Sequence, residues 1–390
     1  MLARTLTTLA VLATLTACGD DGGSAASTSA TGGGGNDAGA TTGSSQGGSS
    51  AGGGAQGGAG QGGADPGPMR KTIEGDITWQ VTFDATAASM GKTDCSYTRH
   101  YVGTEDASRP WVCPACEVVF RADVEMTAGK TDCYAQISDG EPLAEEWIGY
   151  GGGVWYRGYG PMSDQGTMTL DGAAITTTNS VPDQPLMSGG AITLDVVGAL
   201  TLGAEPGDAM NGFVPPATYA CGWPKADPPP YTGDYTIAVG QQLPDGVFKD
   251  TCDEAVRLHD LKGKFLIVDM SARDCPPCQA MADAEPAFME ELAMQGIEVE
   301  VVTLLAPSLA NPLGDTTTGM LTQWSNNYGI ASPVLADRAW GIAMFAPLFG
   351  DQVAYPSWVV ADENLQVIEV GSGFDNFDAA RAAILAAAAP

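Results

Sequence analysis

The most constraining feature of the chain is a Cys-x-x-Cys motif that lies between a short apolar run and a helical pattern. Cys275-Pro276-Pro277-Cys278 comes shortly after Phe265–Val268, whose length and composition are typical of a buried strand. A helix that begins at the motif directs unsatisfied N–H groups and a partial positive charge at Cys275, which favours the thiolate. Cys278 then lies one helical turn further on, within reach of a mixed disulfide formed at Cys275. The motif therefore predicts disulfide exchange at a strand–helix junction.

A proline far downstream supports the same chemistry. Tyr355-Pro356 precedes the β-type run Ser357–Val360. A cis bond before proline costs little compared with other cis peptides, so Pro356 can lie cis beside the two thiols. The alternative is an ordinary trans proline at the start of a strand.

The N-terminus predicts export. Arg4 precedes the apolar stretch Leu6–Ala17, which is too short to span a bilayer and ends at Cys18. This pattern resembles a bacterial lipoprotein signal, which implies a signal peptide at 1–17 and lipidation of Cys18. The alternative is an ordinary secretory signal with an incidental cysteine. Both place the protein outside the cytoplasm, and the first anchors it by lipid in the bacterial cell envelope.

Residues 18–68 are predicted to form a disordered linker. Gly19–Pro68 lacks aromatic and large aliphatic side chains, so it cannot bury enough apolar surface to offset its ordering entropy. A Gly-rich coil of this length has a root-mean-square reach of about 40 Å. The segment therefore suits a flexible tether between a lipid surface and the folded part.

The charge balance excludes some classes of partner. The sequence has 17 Lys and Arg against 47 Asp and Glu, a formal net charge of -30, which disfavours binding to nucleic acid or anionic lipid. The chain has only two histidines, His100 and His259, so histidine triads and His-rich metal sites are not expected. We assign no role to either histidine and expect no metal or cofactor.

About 320 residues follow the linker, enough for two domains. The first, at 69–225, is predicted to be all-β and sandwich-like. Alternation of apolar and polar side chains marks Ile77–Phe83 and the second half of Val118–Met126 as half-buried strands. Thr167–Leu170 and Ala191–Val197 continue the pattern, with glycines clustered between runs. The aromatic residues of this domain are a candidate binding face or, more commonly, core: Trp147, Trp155, Tyr156 and Tyr159.

Six further cysteines are candidates for structural disulfides: Cys95, Cys113, Cys116, Cys133, Cys221 and Cys252. The first four allow three pairings, and zinc binding and a second redox pair at Cys113-Pro114-Ala115-Cys116 remain alternatives. Export favours oxidation, and the β-type sequence after Cys116 argues against a thiolate-stabilising helix. Cys221 and Cys252 flank the domain junction, where a bridge between them would join the domains. The string Gly-Lys-Thr-Asp-Cys occurs at 91–95 and again at 129–133, which suggests paired turns.

The second domain, at 230–390, shows alternating strand and helix patterns. Strands are predicted at Leu266–Met270, Ile297–Leu305, Ser357–Ala361 and Gln366–Val370, and helices at Pro276–Gln295, Thr316–Asn327 and Ala379–Ala389. This order predicts an α/β sandwich around a mixed sheet.

The segment from about 235 to 390 resembles the thioredoxin superfamily, especially the membrane-tethered thiol-disulfide oxidoreductases of the bacterial envelope and their redoxin relatives. The resemblance rests on four segments: Gly240–Asp245, Leu261–Lys264, Cys275–Cys278 and Tyr355-Pro356.

The resemblance implies a role for each matching residue. Cys275 is the nucleophile, Cys278 the resolving thiol and Pro356 the cis-proline, and the backbone of Tyr355 pairs with an extended substrate. Asp269 matches a buried acid that exchanges protons with the resolving cysteine, a role suited to a carboxyl whose pKa is raised by burial. A solvent-facing Asp269 is the alternative.

The sequence departs from the family pattern at two places. Asp274 replaces the aromatic residue usual before the first cysteine and is preceded by Arg273, so charges of both signs flank Cys275. The helix proline lies about one turn late, at Pro286.

These observations lead to one principal hypothesis and two alternatives. The principal one is a lipid-anchored extracytoplasmic thiol-disulfide oxidoreductase that acts on protein thiols or disulfides with an unidentified redox partner. One alternative is a thiol peroxidase of the redoxin type, although Ser271–Asp274 lacks the usual Thr or Ser pattern. The other is a non-enzymatic envelope lipoprotein in which Cys275–Cys278 is structural.

Overall fold

A computed structural model describes residues 67–138, 144–151, 154–157, 164–171, 174–186, 188–349 and 354–389, without the side chains of 152–179. The signal at 1–17, Cys18 and nearly all of the predicted linker lie outside these residues. All described residues belong to one compact unit, which contains both predicted domains. No helix among them is both long and apolar enough to cross a membrane.

The first domain is an antiparallel barrel. Its eight strands are β1 (Met69–Phe83), β2 (Cys95–Glu105), β3 (Val118–Ala128), β4 (Glu145–Gly151), β5 (Val154–Arg157), β6 (Asp164–Asp171), β7 (Ala174–Pro185) and β8 (Ala191–Pro206). Two short helices, α1 (Ala85–Ser89) and α2 (Ala135–Ile137), interrupt the connections.

The β-rich prediction for this domain is confirmed, but its sandwich-like arrangement is wrong. β1 pairs with β8 along its whole length, with Met69 opposite Pro206 and Phe83 opposite Ile192. Each strand also pairs with the next one in sequence, so the single sheet closes on itself. Closure satisfies the backbone groups of both edge strands, which two separate sheets leave exposed.

The barrel interior combines apolar packing with a buried ion pair. Trp79, Tyr101 and Phe120 are buried there. Arg99 pairs with Glu146, which also accepts a hydrogen bond from the Tyr101 hydroxyl at 3.0 Å. The Arg99 guanidinium lies 5.2 Å from the Trp79 ring centre, so the buried charge has both ionic and aromatic partners.

The part of the chain that the structure describes holds four disulfides, three of which involve the barrel or the domain junction: Cys95–Cys133, Cys113–Cys116 and Cys221–Cys252. The first four sulfurs are therefore consumed in two disulfides, and the zinc alternative is wrong. Cys95–Cys133 joins the two Gly-Lys-Thr-Asp-Cys strings through their last residues.

The second domain has a five-stranded mixed sheet in the order β13-β12-β11-β14-β15. Its strands are β11 (Phe265–Ala272), β12 (Val299–Ala306), β13 (Val334–Ala336), β14 (Ser357–Ala361) and β15 (Val367–Ser372). A separate two-stranded sheet pairs β9 (Val247–Lys249) with β10 (Ala255–Arg257). The helices are α3 (Pro276–Met294), α4 (Thr318–Tyr328), α5 (Trp340–Phe345) and α6 (Asp378–Ala388).

The two faces of this sheet are covered differently. Alternate residues of β11, such as Phe265 and Ile267, pack against α3 and α6. The intervening residues, such as Val268 and Met270, share a core with α5 and with Trp111 of the barrel domain. The barrel domain therefore contributes to the core of the second domain.

Polar contacts fix the same junction. Arg109 Nη1 and Trp111 Nε1 donate to the backbone oxygen of Arg338, at 3.3 and 3.4 Å. In return the Arg338 guanidinium donates to Ser108 Oγ at 2.8 Å and pairs with Asp106 at 3.3 Å. These groups are buried, so the contacts hold the barrel against the residues that follow β13.

Candidate active site

The Cys275–Cys278 pair lies where β11 gives way to α3. Cys275 is the N-cap of α3, and the helix begins at Pro276. Proline suits the first helical position because its missing N–H has no partner within the helix. The Cys278 N–H donates to Cys275 Sγ at 3.3 Å, and the two sulfurs form a disulfide. The helix N-terminus therefore stabilises negative charge on Cys275 when the disulfide is open.

Tyr355 and Pro356 lie beside this disulfide. The Tyr355–Pro356 bond is cis, and Cys275 Sγ lies 3.6 Å from the Tyr355 backbone oxygen. β14 begins next to Pro356 and runs antiparallel to β11, so its start meets the carboxyl end of β11. The structure thus brings the two motifs together although about 80 residues separate them.

The sulfurs are less accessible than the sequence hypothesis requires. Cys275 is 1% exposed and Cys278 is fully buried, in an apolar cluster against which Leu309, Tyr328 and Tyr355 pack. Asp274 Oδ1 accepts a hydrogen bond from the Leu309 N–H at 2.6 Å, which holds the loop after β12 near the motif. A substrate must therefore displace part of this cover before it reaches Cys275.

Asp269 is buried, in agreement with the proton-transfer hypothesis and against the solvent-facing alternative. It is 3% exposed on the face of β11 that packs against α3. Ser271 Oγ donates to Asp269 Oδ2 at 2.6 Å, while Oδ1 has no hydrogen-bond partner among the described residues. Burial raises the pKa of Asp269 from 3.8 to about 7, although the Ser271 hydrogen bond opposes the rise. The carboxyl is therefore poised to gain or lose a proton near neutral pH.

A second buried carboxyl, Glu285, escaped the sequence analysis. It is 3% exposed and lies on the buried stripe of α3, two turns beyond Cys278. Burial raises the pKa of Glu285 from 4.5 to about 8; a hydrogen bond with Ser332 lowers it, and the charge of Asp269 raises it further. An acidic residue seven positions after Cys278 on an apolar stripe is a signal that could have identified it.

The fold accommodates both departures from the family pattern, the charged pair before Cys275 and the late helix proline. Arg273 and Asp274 are exposed on the turn before Cys275. Pro286 lies inside α3, which continues to Met294. The late proline therefore does not end the helix that carries Cys278.

A cleft of about 210 Å³ opens beside the motif. Its wall is formed by residues on either side of the cysteines and by one face of α4: Arg273, Gln279, Gln323, Trp324, Asn327 and Tyr328. Trp324 Nε1 is buried and has no acceptor among the described residues. The cleft lies on the β12 side of the cysteines, whereas Pro356 leads into β14 on the other side of β11.

Other sequence candidates lie elsewhere. Trp147 is 2% exposed in the core shared by the two domains, so it is not part of an exposed binding face. The side chains of Trp155 and Tyr156 and all of Tyr159 fall outside the described residues. His259 is buried and its Nε2 lies 2.7 Å from the Leu243 oxygen, a structural contact; burial lowers its pKa.

Comparisons with known proteins agree with this geometry. The Redoxin family profile matches residues 238–384. The thiol-disulfide oxidoreductase ResA of Halalkalibacterium halodurans is 24% identical over 150 residues, which cover 37% of this chain and 74% of the relative. ResA of Geobacillus kaustophilus is 27% identical over 112 residues, covering 28% of this chain and 56% of the relative.

Solved structures also match the second domain. A putative thiol:disulfide interchange protein DsbE from Chlorobium tepidum has a TM-score of 0.31 and 21% identity. The match covers 39% of this chain and 98% of the DsbE chain. The thioredoxin domain of a Bacteroides vulgatus thiol-disulfide oxidoreductase has a TM-score of 0.30 and 14% identity, with 37% and 96% covered. The profile and the relatives support a redoxin-type, thioredoxin-like domain, the class expected from the sequence.

Proposed function

We propose that the protein is a lipid-anchored, extracytoplasmic thiol-disulfide oxidoreductase that uses Cys275 and Cys278 to exchange disulfides with polypeptides. One observation carries the proposal: a Cys-x-x-Cys disulfide caps a helix while a cis-proline loop touches its first sulfur. A purely structural disulfide needs neither the helix N-terminus nor the proline. The redoxin match over 238–384 supports the same chemistry.

In the reductive direction, Cys275 acts first. Its thiolate attacks one sulfur of a substrate disulfide, forms a mixed disulfide and releases the other substrate sulfur as a thiolate. Cys278 then loses its proton and attacks Cys275 Sγ, which closes the Cys275–Cys278 disulfide and releases the second substrate thiolate. Two electrons pass to the substrate, and the reverse sequence oxidises a substrate dithiol.

The buried carboxyls serve the second step. A buried thiol such as Cys278 ionises with difficulty because desolvation penalises its charged form. The pKa of Asp269 is about 7, so its carboxylate form is present near neutral pH and can accept that proton. Glu285 lies on the buried stripe of α3, and the charge of Asp269 contributes to the rise of its pKa.

Substrate binding follows from the edge at which the sulfurs lie. The backbone of Tyr355 offers hydrogen-bonding groups to an extended polypeptide, and the cleft beside Arg273 lies on the other side of β11. A polypeptide that crosses Cys275 thus meets a backbone partner on one side and a cleft for a side chain on the other. The buried state of Cys275 makes local opening part of binding.

The anchor is proposed from the N-terminal sequence. Cys18 follows an apolar export segment and precedes a Gly-rich tether, the arrangement of a lipid-modified exported protein. Protein thiols and disulfides of the cell envelope are the proposed partners, together with a redox partner that recharges the pair.

An insulin-reduction assay tests the proposal. The wild type in the presence of a dithiol should precipitate insulin chains rapidly, and Cys275→Ser should not. Equal rates would contradict the proposal and favour the non-enzymatic alternative. Cys278→Ala should accumulate mixed disulfides, whose substrates mass spectrometry then identifies.

The contacts of Ser271 do not favour a peroxidase. Its hydroxyl donates to Asp269, two residues away, and so is committed to that carboxyl. Fast peroxide turnover by a Cys278→Ser variant would support the thiol peroxidase alternative.

A further inference from the structure

The second Cys-Pro-x-Cys motif of the chain has no role in the proposed reaction. Cys113-Pro114-Ala115-Cys116 forms a disulfide with its Cα atoms 5.3 Å apart, against 5.2 Å for Cys275–Cys278. Both pairs close the same short ring with proline after the first cysteine. A disulfide that joins residues only three apart constrains little of the unfolded chain, so stability is a weak reason for this one.

The segment just before Cys113 docks at the same sheet edge as Cys275. β11, β12 and β13 are parallel, so their carboxyl ends share one edge. Arg338 follows β13 at that edge and binds Arg109 and Trp111 of the barrel domain. Cys113 comes two residues after Trp111.

Tyr355 packs against both of the apolar clusters that contain these cysteines. Cys113 belongs to the core that also contains Trp111 and Met270, and both Cys116 and Tyr355 pack against that core. Tyr355 also packs against the cluster that contains Cys275 and Cys278. One side chain at the edge thus packs against both clusters, one of which contains Cys113 and the other Cys275 and Cys278.

Within the barrel pair, Cys116 is the sulfur that can be attacked. Cys113 is 6% exposed, whereas Cys116 is half-buried and follows the exposed residues Pro114 and Ala115. Gly149 of β4 leaves room for Cys116 Sγ, since a Cβ at that position would overlap the sulfur.

We infer that Cys113–Cys116 is a second redox-active disulfide, which the Cys275–Cys278 dithiol reduces within the same chain. The inference rests on the proposed function, because it needs Cys275 to exchange disulfides. The Cys113–Cys116 pair then accepts two electrons from the thioredoxin-like domain. Once reduced, it can pass them to a further disulfide.

The exchange balances in two steps. The Cys275 thiolate attacks Cys116 Sγ, which forms a Cys275–Cys116 bond, breaks Cys113–Cys116 and releases Cys113 as a thiolate that takes up a proton. Cys278 then gives up its proton and attacks Cys275 Sγ, which forms Cys275–Cys278 and releases Cys116 as a second thiolate that is protonated. Two electrons and two protons pass to the barrel pair; the external dithiol of the assay restores the first pair.

Trapping tests the first step directly. The full chain with Cys113→Ser and Cys278→Ser retains Cys116 and Cys275 as free thiols. When diamide is added as the two-electron oxidant, these thiols should form an intrachain disulfide, found as a linked peptide by mass spectrometry of the monomer. The matched control, Cys113→Ser with Cys275→Ser, should give less than a tenth of the corresponding Cys116–Cys278 product. A folded trapping variant whose Cys116 and Cys275 stay free, as judged by circular dichroism and alkylation, would overturn the inference.

A second experiment keeps the barrel pair intact. The oxidised wild type and a Cys275→Ser/Cys278→Ser variant receive limiting dithiothreitol, and alkylation then reports when Cys113 and Cys116 become reduced. The wild type should reduce this pair at least tenfold faster. Equal rates overturn the relay, and if the wild type still reduces insulin, the proposed function stands without it.

Discussion

The two Cys-Pro-x-Cys disulfides of this protein share a covalent pattern but differ in surroundings. Cys275–Cys278 caps a helix of 19 residues and borders a cis-proline. Cys113–Cys116 lies in a turn, where the Cys116 N–H donates to the Cys113 oxygen at 3.0 Å, and a strand follows at Val118. The helix supplies a field that favours thiolate at Cys275, whereas the turn offers no such field. The motif alone therefore does not determine which pair attacks and which is attacked.

The two cysteine pairs also differ in the buried groups near them. Cys278 and Glu285 are buried on α3, which packs against the face of β11 that carries Asp269. Both carboxyls hold protons near neutral pH. Cys116 instead packs beside the backbone of β4 at Gly149. The first pair is thus equipped to start exchange and to move protons, and the second is suited to receive electrons.

The largest expected effect separates the two pairs as nucleophiles. Cys275→Ser should lower insulin reduction at least about 100-fold, because it removes the attacking sulfur. The double variant Cys113→Ser/Cys116→Ser should stay within about twofold of wild type, since insulin can receive electrons from Cys275 directly. Turbidity or fluorescent-insulin kinetics measure both. If instead the double variant loses most of its activity and Cys275→Ser keeps it, the barrel pair is the attacking pair, and the assignment of the two sites is reversed.

The next effect tests the buried carboxyl of Asp269. In the oxidised protein, native Asp269 keeps its proton up to a pKa of about 7, whereas the unfolded chain loses it near 3.8. Between these values the native state binds more protons, so this group lowers the free energy of unfolding as pH rises. Asp269→Asn has no such titration. Its free energy of unfolding, relative to that of the wild type, should therefore rise by up to about 4 kcal/mol between pH 4 and pH 8.

Urea unfolding of the oxidised proteins at each pH measures this difference. Glu285 titrates in both proteins, so it cancels in the comparison to first order. A constant difference across the range would show that Asp269 is charged in the native state throughout. In the reduced protein, the same variant should also slow release of a mixed disulfide at Cys275, because Cys278 loses its proton acceptor.

Sequence patterns sufficed for the elements that local periodicity encodes. The strand before the motif, the helix α3 and the hairpin of β14 and β15 all lie close to their predicted positions. β13 and α5 were missed because three and six residues are too few to show a period. Barrel closure was missed because the alternation in β1 and β8 is the same whether these strands pair or face apart.

The site shows the same division between local and distant information. The motif and the proline identified both ends of the Cys275–Pro356 contact. Glu285 was missed because an acidic residue gives no sign of burial by itself, and the apolar residues around it set the buried face of α3. The contact between Arg338 and the barrel joins residues more than 200 positions apart, as in the pair with Asp106, and no local pattern encodes it.

A third prediction tests the junction that places the barrel pair at this edge. Arg338→Met should destabilise the protein by about 2 kcal/mol, because buried Asp106 and Ser108 lose a donor, while Asp106 keeps Arg109 at 3.1 Å as a charged partner. Arg121→Met is the control: Arg121 pairs with Glu145 within the barrel and with Asp315 across the same junction at 3.5 Å. Its side chain is 38% exposed, so the loss of both pairs should cost less than about 1 kcal/mol. Urea unfolding compares the two. Equal costs would mean that the buried contact does not dominate the junction.

The smallest effect concerns the charges beside the attacking sulfur. Asp274 and Arg273 are both exposed, and Asp274 Oδ1 accepts the Leu309 N–H, so Asp274→Asn can keep this contact while it removes the negative charge. The loss of that charge should favour the Cys275 thiolate and raise its alkylation rate about twofold at pH 6, since water screens exposed charges. Arg273→Gln should lower the rate by a similar factor. Alkylation of the reduced protein, followed by mass spectrometry of the Cys275 peptide, measures both. If both variants react at the wild-type rate, the helix N-terminus and not the flanking side chains controls the ionisation of Cys275. The buried carboxyls and the backbone around the sulfurs would then account for the difference between the two cysteine pairs.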